Sequence, residues 1–362
     1  MRLQQIILFG FLFLTSNIFA QFTMEDFFQE NEALDKAVEE HFNRLKPGEK
    51  VAQLIMPAIG DYGDKEDKID AWVKDKKIGG LLLLNGTKTQ FTDWVNKYNK
   101  INEEEGNLPF LYSADAEPSL INRKIKNSTP VAKANTLKTI EEVRSVAELI
   151  SKELNEIGIN YNFAPVVDMS PNKTVGWRSF GHVPDSVIPW SNAFIQETQK
   201  HNIIATAKHF PGHGYIEGDS HKNLVYIKGE MREVKNYPKL IEDGVMSVMI
   251  GHIAVENNGP YDTKGLPSSI SKEIVTDLLR DSLNFQGLIV TDAMNMLGVS
   301  KVPNSNVKAI DAGIDILLMP LDAGKAHQEI LEKYMTNNAF KEKVNLAVKR
   351  IIRAKLCVIE SN

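Results

Sequence analysis

Residues 139–168 read TIEEVRSVAELISKELNEIGINYNFAPVVD, and the fold is decided there. Val143, Val146, Ile150, Leu154 and Ile157 recur at three- and four-residue spacing, which places them on one face of a helix over Ile140–Ile157. Thr139 with Glu142 forms a capping box at its start, and Gly158 ends it. Asn160–Val167 follows as a short, largely apolar run of the kind found in strands covered on both faces. That strand runs into a carboxylate, Asp168. A helix feeding a buried strand is half of a right-handed βαβ unit.

The same alternation extends in both directions. Val51–Ile59, Ile78–Leu84, Phe110–Ala114, Ile203–Lys208, Ser247–His252, Gly287–Thr291 and Asp315–Met319 read as further strands, making eight with Asn160–Val167. Ser271–Leu283 repeats the helical plan, with Ile274, Leu278 and Leu279 on one side. Eight units in a chain without a Pro/Gly/Ser-rich linker predict an α/β protein built as a single-domain (β/α)8 barrel of the TIM type; a doubly wound open sheet is the alternative. The expected organisation is an export signal over residues 1–20, a helical N-terminal segment over 21–48 lying outside the barrel, and one barrel domain over 49–362.

Composition narrows the class. At 43% hydrophobic and 25% charged, the chain has too much apolar material for disorder. A net charge of −5 without Lys/Arg runs argues against a nucleic-acid surface. The single cysteine, Cys357, allows neither an internal disulfide nor a cysteine-rich zinc site. Arg2, the apolar run Ile6–Leu14 and a small-residue end at Ala20 have the form of a secretory signal. The remainder has no run of 18 apolar residues, so a periplasmic or secreted protein without an integral membrane segment is expected.

In a barrel the chemistry sits at the C-terminal ends of the strands. Polar residues gather at those positions here: Asp115 and Glu117 after the third strand, Asp168 after the fourth with Arg178 ten residues on, Lys208-His209 at the fifth, His252 at the sixth and Asp292 at the seventh. Any one of these acids serves equally well as a cap for the next helix. Asp219 and His221 stand two apart in a loop, close enough for the carboxylate to orient the imidazole and raise its pKa for proton transfer. A zinc site from His209, His213 and His221 is the competing use of the histidines. Asp292, emerging from the apolar Gly287–Thr291, is suited to act as nucleophile, base or metal ligand, or to cap a helix.

Together these blocks resemble glycoside hydrolase family 3, and within it the β-N-acetylhexosaminidase branch. The resemblance rests on Lys208-His209-Phe210-Pro211-Gly212-His213-Gly214 followed by Asp219-Ser220-His221, on Gly287–Met294, on Asn162–Asp168 with Arg178-Ser179-Phe180-Gly181, on Leu266-Pro267-Ser268-Ser269 and on Ala312-Gly313-Ile314-Asp315. It covers roughly Glu49 to Leu356. It implies a retaining double displacement with Asp292 as nucleophile and His221, oriented by Asp219, as general acid/base. It further implies that Asp115, Arg178, Lys208 and His209 bind sugar hydroxyls, and that the reaction needs no metal or organic cofactor. The implied substrate is a carbohydrate, an N-acetylglucosaminide of peptidoglycan fragments or related oligosaccharides. A glycosyl phosphorylase, a β-glucosidase and a non-catalytic glycan-binding barrel are the alternatives. One departure stands out: where the family often has Glu-Gly-Gly, this chain has Glu117-Pro118-Ser119.

Overall fold

The computed structural model describes residues 22–169, 171–172, 175–216, 218 and 223–359. The expected export signal, Asp219 and His221 lie outside the described residues. Among the described residues there are thirteen short strands: β1 (Ile55–Met56), β2 (Ala58–Ile59), β3 (Gly80–Leu83), β4 (Gly86–Thr87), β5 (Leu111–Ala114), β6 (Ile125–Lys126), β7 (Tyr161–Asn162), β8 (Ile204–Phe210), β9 (Val225–Lys228), β10 (Ser247–Ile250), β11 (Ile253–Glu256), β12 (Leu288–Thr291) and β13 (Leu317–Leu318).

Seven of them form one parallel sheet in the order β12-β10-β8-β7-β5-β3-β2. β1 pairs with β13, also in parallel. Backbone bonds run past both edges of the sheet: Thr291 N–H donates to Ile316 O at 3.1 Å, Leu317 N–H to Leu54 O at 2.7 Å, and Gly79 N–H to Ile55 O at 3.1 Å. Both edges thus engage the same β1–β13 pair, and the sheet is curled. Its strands are buried throughout β3, β5, β8, β10 and β12, as expected when helices cover the outer face and side chains fill the inner one.

All eight predicted strand regions contain a strand, with trimmed ends except in β8, which runs on past Lys208 to Phe210. Val51 and Ala52 instead close the helix Pro47–Ala52, because Pro47 and Glu49 supply a helix start that the apolar run obscures. The helix Ile140–Ile157 has the predicted bounds. Thr139 accepts from Glu142 N–H at 3.1 Å, while Glu142 reaches one residue further back than a capping box requires and accepts from Lys138 N–H at 2.6 Å. Gly158 takes φ of 90°, the left-handed cap that glycine adopts without steric cost. The helix predicted over Ser271–Leu283 is wound more loosely, with π-type bonding over Glu273–Ser282, and still buries Ile274, Leu278 and Leu279.

At the N-terminus a helix spans Glu32–Arg44 and buries Leu34, Ala37, Val38 and Phe42. It packs on the final helix, Asn338–Val358, and Arg353 of that helix donates to Phe27 O at 2.7 Å. Asp315 closes the N-terminal end of the sheet: it is buried, takes Arg280 at 3.0 Å, pairs with Arg350, and accepts Ile289 N–H at 2.8 Å. The Ala312–Asp315 block is therefore a structural anchor. No helix among the described residues is long and apolar enough to cross a membrane.

Candidate active site

Asp115 and Glu117 leave the end of β5 on either side of Ala116. The Asn162 side chain in β7 holds Ala116 as a neighbouring strand would, accepting its N–H at 3.1 Å and donating to its C=O at 3.2 Å. Both carboxylates are thereby fixed toward β8. Lys208 is 1% exposed, and its Nζ lies 2.9 Å from Asp115 Oδ1 and 2.6 Å from Glu117 Oε1. Arg178 grips Glu117 in a fork, Nε to Oε2 at 2.8 Å and Nη2 to Oε1 at 2.6 Å. Two parallel charge-assisted bonds of this kind set orientation as well as energy. Lys124 adds a second cation 3.6 Å from Asp115.

Burial alone would push both carboxyls up. The charges of Lys208 and Lys124 on Asp115, and of Arg178 and Lys208 on Glu117, outweigh it and hold both below the ordinary carboxylate range. Burial likewise presses Lys208 down, and the two carboxylates outweigh it. The network is thus fully ionised in spite of its burial.

A second cluster joins the ends of β7 and β8. Asp168 is fully buried; it accepts His209 N–H at 3.2 Å and His213 N–H at 2.8 Å, and its Oδ2 lies 2.7 Å from His209 Nδ1. Burial raises the Asp168 carboxyl, and the charge and hydrogen bond of His209 more than reverse the effect. With Asp168 ionised, His209 Nδ1 carries the donated proton and Nε2 is the nitrogen left for a ligand. His213 is pushed below the ordinary histidine range, first by burial and then by the charge of His209. Beneath both loops lies Glu233, which accepts Met169 N–H and, at 2.8 Å, Gly214 N–H. Burial and the Asp168 charge push Glu233 up to about 8.

Asp292 follows β12 directly. Its N–H donates to Ile250 O at 2.9 Å, and its Oδ1 accepts Ala293 N–H at 2.8 Å. The register Phe210–Ile250–Thr291 places it across the intervening β10 from His209, and its charge acts on His213. The turn after Asp292 is held by the fully buried His252, whose Nε2 lies 3.0 Å from Ala293 O and whose Nδ1 lies 2.7 Å from Ser269 Oγ. A carbonyl only accepts, so Nε2 donates; in the neutral ring Nδ1 then accepts from the Ser269 hydroxyl. Ser268 is bonded to Ile253 O at 2.6 Å. The Leu266–Ser269 block thus braces the Asp292 turn.

Of the predicted site residues, Asp115, Arg178 and Lys208 meet in one network, His209 sits in the adjoining one, and Asp292 stands across β10 from it. Asp219 and His221 lie outside the described residues. Glu117, Lys124, Glu233 and His252 emerge from the structure as partners of these groups. Glu117 and His252 stood at strand ends in the sequence, whereas Lys124 and Glu233 carried no local signal. Among the described residues no group of three His, Cys, Asp or Glu side chains is arranged to hold a metal. Ser119, part of the departure at Glu117-Pro118-Ser119, has a clear use: its hydroxyl donates to Trp177 O at 2.9 Å and accepts Ala134 N–H at 3.0 Å. It ties the loop after β5 to the loop that carries Arg178.

Residues 48–354 match the glycosyl hydrolase family 3 N-terminal domain. The chain belongs to glycosyl hydrolase family 3. Among curated relatives, beta-hexosaminidase LpqI of Mycobacterium tuberculosis is 32% identical over 297 residues, 76% of this chain and 73% of that protein. Beta-hexosaminidase A of Pseudoalteromonas piscicida is 31% identical over 245 residues, 60% of this chain and 41% of that protein. Among solved structures, a family 3 β-N-acetylglucosaminidase from Paenibacillus sp. superposes with a TM-score of 0.80 at 26% identity, covering 88% of this chain and 64% of that one. This family 3 chain therefore spans less than half of the Pseudoalteromonas protein and just under two thirds of the Paenibacillus one.

Proposed function

We propose that this family 3 chain is an exported, retaining β-N-acetylhexosaminidase that removes non-reducing terminal N-acetylglucosamine from peptidoglycan fragments or related oligosaccharides. The reading is carried by one observation: the buried, fully ionised network of Asp115, Glu117, Lys208 and Arg178, beside Asp168–His209, stands at the same ends of the strands as Asp292. The names of the relatives support the sugar, and the signal-like residues 1–20 support export. The backbone bonds from β12 through β13 and β1 to the start of β3 support a closed (β/α)8 barrel over 49–362.

In this reading Asp292 attacks the anomeric carbon and forms a glycosyl-aspartate as the bond to the leaving oxygen breaks. His221, oriented by Asp219, donates its proton to that oxygen. It then takes a proton from water, which attacks the same carbon and releases Asp292. Asp115 and Arg178 accept and donate to sugar hydroxyls, and His209 offers Nε2. Lys208 holds Asp115 in place and contributes its charge.

The test is hydrolysis of p-nitrophenyl N-acetyl-β-glucosaminide, compared with the glucoside, in the presence and absence of phosphate. Release of free N-acetylglucosamine, abolished in Asp292→Ala with the fold intact, is the expected result. Turnover retained in that variant removes Asp292 from the chemistry. A sugar 1-phosphate product assigns the chain to phosphorolysis instead.

A further inference from the structure

One buried carboxyl group takes no part in the reaction just described. Glu233 is 3% exposed and immediately precedes the turn Val234–Asn236. Its oxygens are turned to the backbone of two loops: Met169 N–H in the loop after β7, and Gly214 and Tyr215 N–H in the loop after β8. The fit is tight. A Cβ on Gly212 would lie 2.4 Å from Glu233 Oε2, and one on Gly214 would lie 2.3 Å from Oε1 and 1.9 Å from Met169 O. Gly212, which takes φ of 132°, is crowded by Glu233, and Gly214 is crowded by both Glu233 and the Met169 carbonyl, so neither position has room for a side chain.

The rest of the segment reinforces the grip. Asn236 donates to Val167 O at 2.9 Å, and the Tyr237 ring meets Phe210 edge-on at 4.9 Å. Asp168 binds the N–H groups of His209 and His213 from the opposite side. The loop after β8 is thus held between the carboxyl groups of Asp168 and Glu233 as far as Tyr215. Beyond it, Ile216 packs with Val225 and Ile253 in a small apolar cluster of its own. Between Ile216 and Val225 the sequence carries Asp219 and His221.

We propose that Glu233 is a positioning residue that fixes the start of the segment bearing Asp219 and His221, so that it governs proton transfer to the leaving group. This rests on the assignment of His221 as the general acid. A residue with a merely structural role lowers the fraction of active protein and scales every substrate equally. A residue that places the acid affects leaving groups unequally, because only poor ones need protonation.

The experiment compares kcat/KM of Glu233→Gln, Glu233→Asp and His221→Ala on dinitrophenyl and methoxyphenyl N-acetyl-β-glucosaminides, with thermal unfolding of each variant. Glutamine turns an N–H2 donor toward a backbone N–H and so releases one loop. Aspartate keeps the carboxyl group but is one methylene short. The expected result is a loss on the methoxyphenyl substrate about tenfold greater than on the dinitrophenyl one in Glu233→Gln, partly restored in Glu233→Asp; general-acid contributions of roughly a hundredfold or more leave room for it. If Glu233→Gln does not fold, Glu233→Asp carries the same comparison. Equal losses in the Glu233 variants, with unequal losses in His221→Ala, overturn the inference and leave the assignment of the acid standing. Equal losses in His221→Ala overturn that assignment, and the inference with it.

Discussion

Glu117 is the residue on which the sugar-side network turns. It accepts three bonds from two cations while almost wholly buried, whereas Asp115 keeps about a quarter of its side chain exposed. Removing Glu117 strips Arg178 of its paired carboxylate and leaves Lys208 with Asp115 alone, and breaking a buried pair typically costs about 3–5 kcal/mol. Glu117→Gln is therefore expected to lower stability toward urea by several kcal/mol, and Asp115→Asn by distinctly less. Acid sensitivity follows from the same groups. Asp115, Glu117 and Asp168 all have folded pKa values below their unfolded ones. Their stabilisation is fully present above the unfolded value of about 4 and is lost as pH falls through the folded values. Circular dichroism followed from pH 6 downward should show Glu117→Gln unfolding at higher pH than wild type. Such a partner was only half legible in the sequence: Glu117 stood visibly after its strand, but its link to Arg178 spans 61 positions, and no local pattern encodes it.

Elements explain which parts of the sequence spoke plainly. The helix Ile140–Ile157 was readable to its ends because its periodicity, cap and terminal glycine all agree. The strands were readable as regions because continuous burial leaves continuous apolar runs. β4, β6, β9 and β11 were not: two-residue strands have no period, β9 mixes buried with exposed positions, and β11 begins three residues after the end of β10, so its apolar run merges with the one before. Glu233 was illegible for a related reason, since it binds backbone N–H groups, which any sequence supplies. The Leu266–Ser269 block shows how an element can serve the site from outside it. Ser269 acts on His252, and His252 on the carbonyl that follows Asp292. Ser269→Ala deletes one neutral hydrogen bond, worth about 1 kcal/mol. If the brace tightens in the transition state, kcat on p-nitrophenyl N-acetyl-β-glucosaminide falls about fivefold with KM unchanged. An unchanged kcat with a lowered melting temperature would make the brace structural only.

Across the whole molecule, the first and last parts of the chain meet at a buried lysine. Lys355, in the final helix, is 1% exposed and donates to Gln53 Oε1 at 2.6 Å and to Gly79 O at 2.8 Å. It thus joins the residue after the helix Pro47–Ala52, the start of β3 and the C-terminal helix. Burial pushes its amine down to about 7, whereas a lysine in the unfolded chain titrates near 10.4. Between those values the unfolded chain binds the extra proton. Stability accordingly rises with pH across that window, at no more than about 1.4 kcal/mol per pH unit. Below pH 7 the penalty of the buried charge is fully present. Glu233, raised to about 8, acts in the opposite sense between its unfolded value of about 4.3 and 8, because there the folded state holds the proton. The comparison that isolates Lys355 is therefore wild type against Lys355→Met, both unfolded in urea from pH 7 to 10. The methionine leaves Gln53 and Gly79 acceptors without their donor, so its absolute stability has two opposing contributions. Its pH slope has only one: the rise attributable to Lys355 should vanish, and a slope equal to that of wild type would show that the amine keeps an ordinary pKa in the fold.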